Sequence, residues 1–229
     1  MNNKKHKSPR REFLGKIAAG AAALGLLSIP SSVKAAPALF DETTHDADEF
    51  FKKIKGKHRI MFDAPKPNGL YPFVWPKVFL LTNAATGTPE KDNNVVVVLR
   101  HEAIPYAFEN SLWTKYKFGD MFKVDDPRSK ATAVSNPFWK PKVGDYQVPG
   151  FGNVAIGINE LQDSGVMFVV CNAAMTVYSA VVAQQMKMNA ADVLKEWTAG
   201  VLPGVQIVPS GVWAVGRAQE HGCAYCFAG

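Results

Sequence analysis

Apolar residues along this chain fall in blocks rather than singly. Val95-Val96-Val97-Val98-Leu99 is an unbroken, mostly β-branched run, and Val166-Met167-Phe168-Val169-Val170 is a second. Runs of this length, with no polar residue at alternate positions, predict strands covered on both faces. Shorter strands are expected over residues 59–62, 205–208 and 224–228. Between them the spacing turns helical. Residues 76–85 put Val78, Phe79, Leu81 and Thr82 on one side, and residues 105–116 set Phe108 and Leu112 four apart. A helix over 154–162 is closed by Ser164-Gly165, and one over 176–186 is apolar nearly all round. Asn189 reads as an N-cap, with Asp192 three residues on in a capping-box arrangement, Leu194 and Trp197 inside and Gly200 at the stop. Ser210 caps a last helix over 211–220, which ends at Gly222.

Strands separated by helices need crossover connections, so the sheet should be mostly parallel and covered on both faces. The expected fold class is α/β: a three-layer sandwich around a mostly parallel five-stranded sheet, in one domain over residues 58–229. Residues 36–57, acidic and then basic with one short helix over 46–54, read as a linker. The alternation breaks at 119–152. Unstructured stretches this long are usually functional or mobile. The aromatics there, Phe138, Trp139, Tyr146 and Phe151, predict an insertion that packs down as a lid or a subunit contact.

Charge is distributed unevenly. The 229 residues carry a formal charge of +6. Residues 1–35 hold Lys4, Lys5, Lys7, Arg10, Arg11, Lys16 and Lys34 against Glu12 alone, so the whole excess lies there and residues 36–229 balance. The body of the chain thus has no electrostatic case for nucleic acid as a partner. The basic start is followed by an apolar run of small residues from Ile17 to Ile29, then by Pro30 and by Val33-Lys34-Ala35. That run is short of the ~20 residues a membrane-spanning helix needs. The layout is that of a cleavable export signal over 1–35. Arg10-Arg11-Glu12-Phe13-Leu14-Gly15-Lys16 resembles the twin-arginine signal, with Arg10, Arg11, Phe13 and Leu14 at its defining positions. It implies the twin-arginine translocase as a transient partner, export of folded protein and a periplasmic location.

In open parallel sheets ligands bind beyond the carboxyl ends of the strands. The residues leaving the strands are Asp63; Arg100, His101 and Glu102; Cys171 and Asn172; and Pro209 and Ser210. Cys171 stands out. It leaves a buried strand just before a helix, where N–H groups and the helix dipole favour a thiolate, and Arg100 or His101 on a neighbouring strand end could support that charge. Inert packing is the competing reading for a free cysteine. Cys223-Ala-Tyr-Cys226 is a CxxC in the last strand, where the two side chains would point to opposite faces. With His221 it makes a candidate metal set, short of a fourth ligand, for which Cys171 or His101 are the candidates. The chain has no Gly-rich phosphate loop and no GxSxG, and no cofactor is expected.

Residues 158–171, from Ile158-Asn159-Glu160 through Ser164-Gly165-Val166 to Cys171, lead into an apolar helix. Then come Gly204-Val205-Gln206-Ile207-Val208-Pro209-Ser210-Gly211-Val212 and Gln219-Glu220-His221-Gly222-Cys223-Ala224-Tyr225. This succession resembles the DsrE/DsrF-like family, loosely over 58–118 and closely over 154–229. The resemblance implies a small α/β sandwich that assembles into homo-oligomers. In the sulfur-relay branch the cysteine after the third strand carries a persulfide and hands sulfur to a partner protein, and by position that residue is Cys171. Two other functions are compatible with the same residues: an exported ligand- or metal-binding oligomer without catalysis, and a structural oligomer with inert cysteines.

Overall fold

The computed structural model describes residues 47–229, so the export-signal residues Arg10, Arg11, Phe13 and Leu14 lie outside the described residues. Five strands form one parallel sheet: β1 (His58–Ala64), β2 (Asn93–Leu99), β5 (Val166–Cys171), β6 (Val205–Val208) and β7 (Ala224–Phe227). Their order is β6-β5-β2-β1-β7. β1, β2 and β5 are interior strands, and their apolar runs are buried on both faces, as unbroken hydrophobic patterning requires. The chain steps outward from β1 through β2, β5 and β6, then crosses back to place β7 on the far side of β1.

Helices cover both faces, making three layers. On one face lie α2 (Tyr71–Ala85), α3 (Asn110–Tyr116), α4 (Phe118–Phe122), α5 (Ile158–Asp163), α6 (Asn172–Met186) and α7 (Ala190–Ala199). Their core is aromatic: Phe73 stacks on Phe138 at 3.9 Å, and Phe118 meets Trp197 edge-on at 4.9 Å. Ring pairs of this kind add to the area they bury. The opposite face is thinner. It is closed by α1 (Ala47–Phe51) and α8 (Gly211–Glu220), with Phe51, Ile54, Ala214 and Ala218 buried against Met61, Val96 and Val98.

Several local expectations need correction. The stretch read as a linker contributes Ala47, Phe51 and Ile54 to the core, so the packed domain begins before His58. Burial of Phe51 outweighs the charged run around it. The helix expected over 105–116 is two pieces: a 3-10 segment, His101–Ala107, then α3. Phe108 between them is extended, its backbone bridging Val201. The helix expected from 154 starts only at Ile158, after Gly157. α6 starts at Asn172, four residues earlier than expected, because Cys171 itself caps it.

The insertion does pack down. Phe138 and Tyr146 are buried and stacked at 5.3 Å, and the Tyr146 hydroxyl donates to the Pro137 carbonyl. Asn136 donates to the carbonyls of Tyr106 and Phe108. Arg128 ties its turns together through Asp126 and Asp145. A two-residue hairpin pairs β3 (Gln147–Val148) with β4 (Gly152–Asn153). Phe151 is the exception among its aromatics and stays exposed.

Candidate functional site

The candidate site is built at the carboxyl edge of the sheet. β2 pairs β5 with Leu99 opposite Val170, so Arg100 and Cys171 leave the sheet as neighbours. β1 pairs β7 with Asp63 opposite Phe227, which brings Tyr225 beside Asp63.

Cys171 is the N-cap of α6, and its Sγ accepts the backbone N–H of Ala174 at 3.3 Å. The N–H of Ala173 goes to the carbonyl of Pro209 at 3.1 Å. Two N–H groups of the first turn are therefore satisfied by the neighbouring strand ends. An N–H donated to sulfur, together with the positive end of a 15-residue helix, stabilises a sulfur anion once formed. Next along the same edge, Ser210 caps α8 by accepting from the Trp213 N–H at 3.2 Å.

Arg100 is held from two sides. Its Nε and Nη2 donate to Oδ1 and Oδ2 of Asp63 at 2.6 and 2.8 Å, a bidentate pair. The hydroxyl of Tyr225 donates to Oδ2 at 2.9 Å. The hydrogen bond with Asp63 holds Arg100 above the usual arginine range, against the opposing effect of burial. Burial and the bond to Asp63 raise Tyr225 in turn. The Arg100 stem lies on the backbone of Gly211, the first residue of α8: a Cβ there would come within 2.3 Å of the Arg100 Cβ. Arg100 is also close enough to Cys171 for a thiolate charge to favour the guanidinium.

The other expected residues go elsewhere. His101 is exposed, has a left-handed backbone (φ 50°), and its Nδ1 sits 3.0 Å from the hydroxyl of Tyr178, two turns along α6. The structure thus joins His101 to Tyr178 rather than to Cys171. Burial and the nearby Glu102 push Tyr178 up to about 12. The insertion seats on Tyr106, Phe108 and Phe73, and its Phe122 meets Tyr178 on α6.

The candidate metal set does not converge. Cys223 packs with α1 and α8, Cys226 against the opposite core, and His221 stacks on Phe51. Among the described residues no three of His, Cys, Asp or Glu gather as a metal site would require, and all three cysteines are free. Burial pushes Cys223 up to about 11 and raises Cys226 as well.

Sequence reasoning reached Cys171, Arg100 and Ser210. In the sequence Asp63 is only a strand end and Tyr225 only part of a motif; their meeting depends on β7 lying beside β1. No protein-family model matches the chain, and no curated protein matches it at a significant level.

Proposed function

We propose that this protein is an exported, DsrE-like sulfur carrier in which Cys171 is the sulfur-accepting nucleophile. The observation that carries this reading is the placement of Cys171: the capping residue of a long helix, its sulfur already taking an N–H, at the strand end beside Arg100. A thiolate there would attack the outer sulfur of a donor persulfide. The donor S–S bond breaks, its electron pair leaves with the donor thiolate, and Cys171 keeps the sulfur as a persulfide. Attack by an acceptor thiolate on that outer sulfur reverses the step on a new partner. Arg100 and the Ala174 N–H offset the negative charge that Cys171 carries before and after transfer. The persulfide donor and the acceptor are expected to be proteins or small thiols.

After exposure to polysulfide, the Cys171 peptide should gain the mass of one sulfur atom, reversibly under reductant. Cys171→Ser should lose that uptake with the fold intact. Uptake that persists in the variant would move the role to another thiol.

Export belongs to the same reading and rests on Arg10-Arg11-Glu12-Phe13-Leu14. Replacing both arginines by lysine should trap precursor in the cytoplasm, because lysine lacks the planar guanidinium fork. Unchanged export would point to another route.

A further inference from the structure

We propose that Asp63 and Tyr225 are positioning residues for Arg100, and that this cluster sets the charge felt by Cys171. The inference rests on the sulfur-carrier reading for its purpose, but the geometry stands by itself. The Asp63 side chain is 3% exposed, yet it sits one residue from the end of the interior strand β1, at the edge where Cys171 leaves the sheet. Its two oxygens accept three donors, two from Arg100 and one from Tyr225. Arg100, 26% exposed, is clamped between that carboxylate and the backbone of Gly211. A guanidinium left free would screen itself in water; one fixed at a partly buried strand end acts on its neighbour at short range. Asp63 holds Arg100 in place and also cancels much of its charge. The thiol would then remain nucleophilic rather than being over-stabilised as a poor attacking group, since nucleophilicity falls as thiol pKa falls.

Among the described residues, Arg100, just after β2, interacts electrostatically with Cys171, and Asp63 of β1 and Tyr225 of β7 act on it through Arg100. α6 has no charged residue, and β6 with the first turn of α8 brings only Val208, Pro209, Ser210 and uncharged residues. His101 and Glu102 act on Tyr178 instead.

The test is the pH profile of Cys171 alkylation by iodoacetamide in the folded protein, read on the Cys171 peptide. Asp63→Asn keeps an oxygen for the Arg100 Nε but removes the compensating charge, so the midpoint should fall by about one pH unit. Arg100→Gln should raise it by a similar amount. Tyr225→Phe, at a half-exposed position that spares the fold, removes one donor from Asp63, leaves its charge less neutralised and should raise the midpoint slightly. An unmoved or raised midpoint in folded Asp63→Asn would overturn the proposal, as would an unmoved midpoint in Arg100→Gln. If Asp63→Asn does not fold, a lowered or unchanged midpoint in Tyr225→Phe would overturn it instead. Polysulfide uptake by the wild-type protein reads the carrier function separately, so a normal set of midpoints without sulfur uptake would sink that function and leave the cluster's role standing.

Discussion

Alanine at Gly211 adds one methyl group where the structure has no room for it. The new Cβ would sit 2.3 Å from the Cβ of Arg100 and 2.7 Å from its Cδ, far inside carbon–carbon contact distance. Gly211 is not in the left-handed region, so the obstacle is steric, and the three nearest atoms all belong to Arg100. Either Arg100 leaves Asp63 or the start of α8 moves away from β2. Overpacking of this kind costs about 1–3 kcal/mol. Gly216, five residues on in the same helix, supplies the control, because a Cβ there meets nothing within 4 Å. Alanine in an open helical interior should stabilise by up to about 1 kcal/mol. Urea titration should therefore move the two midpoints in opposite directions at unchanged slope. In thermal melts each kcal/mol corresponds to about 2–4 °C for a domain of this size. Gly211→Ala should also move the Cys171 alkylation midpoint, and Gly216→Ala should not. A Gly211→Ala protein as stable as Gly216→Ala, with the same alkylation profile as wild type, would show that Arg100 does not lie across α8.

Arg128→Ala should loosen the insertion, with amide exchange rising at 124–133 and 142–146 while the sheet stays protected, since Arg128 joins Asp126 and Asp145 and faces Tyr146. Hydrogen bonds to Arg128 and to backbone N–H groups hold Asp126 and Asp145 below the usual aspartate range. Their support is present above the ordinary value of about 3.9 and is lost as pH falls below it, so the same segments should exchange faster in acid; equal exchange at pH 3 and pH 6, corrected for intrinsic rate, would contradict this. Native Cys223, pushed up to about 11 by burial, should resist alkylation at pH 7 and react only toward alkaline pH; ready labelling of Cys223 in the folded protein at neutral pH would count against this. α6 carries no charge over its 15 residues and leaves Val177 48% exposed and Met186 45% exposed, so the protein should sediment as an oligomer at micromolar concentration; a monodisperse monomer would refute it.

Residue pattern alone placed the elements with strong local signals. β6 and α8 have the bounds expected, and Asn189 and Ser210 cap as their side chains allow: Asn189 accepts from the N–H groups of Ala191 and Asp192, and Ser210 from that of Trp213. The two long apolar runs became β2 and β5 in the sheet interior. Errors arose where tertiary contacts overrode spacing. Phe108 and Leu112 sit four apart, yet the backbone at Phe108 is extended because it bridges Val201. α6 begins four residues early because a sulfur atom, an uncommon cap, takes the Ala174 N–H. α2 begins at Tyr71, well before the expected start, with Pro72 in its first turn, where the missing N–H is not needed. Cys223 and Cys226 do part to opposite faces, although Cys223 lies just ahead of β7. The Asp63–Arg100–Tyr225 cluster could not be read, because its three members come from β1, β2 and β7, and the return of β7 to the side of β1 has no local signature.

If one sulfur atom travels on Cys171, it is counted as the cyanide-labile sulfur bound per chain after incubation with polysulfide and removal of excess reagent under native conditions. The wild-type protein should hold a single labile sulfur, Cys171→Ser none, and the protein with Cys226 replaced by serine an unchanged amount. Labile sulfur on Cys171→Ser equal to wild type, or none on wild type, would contradict it.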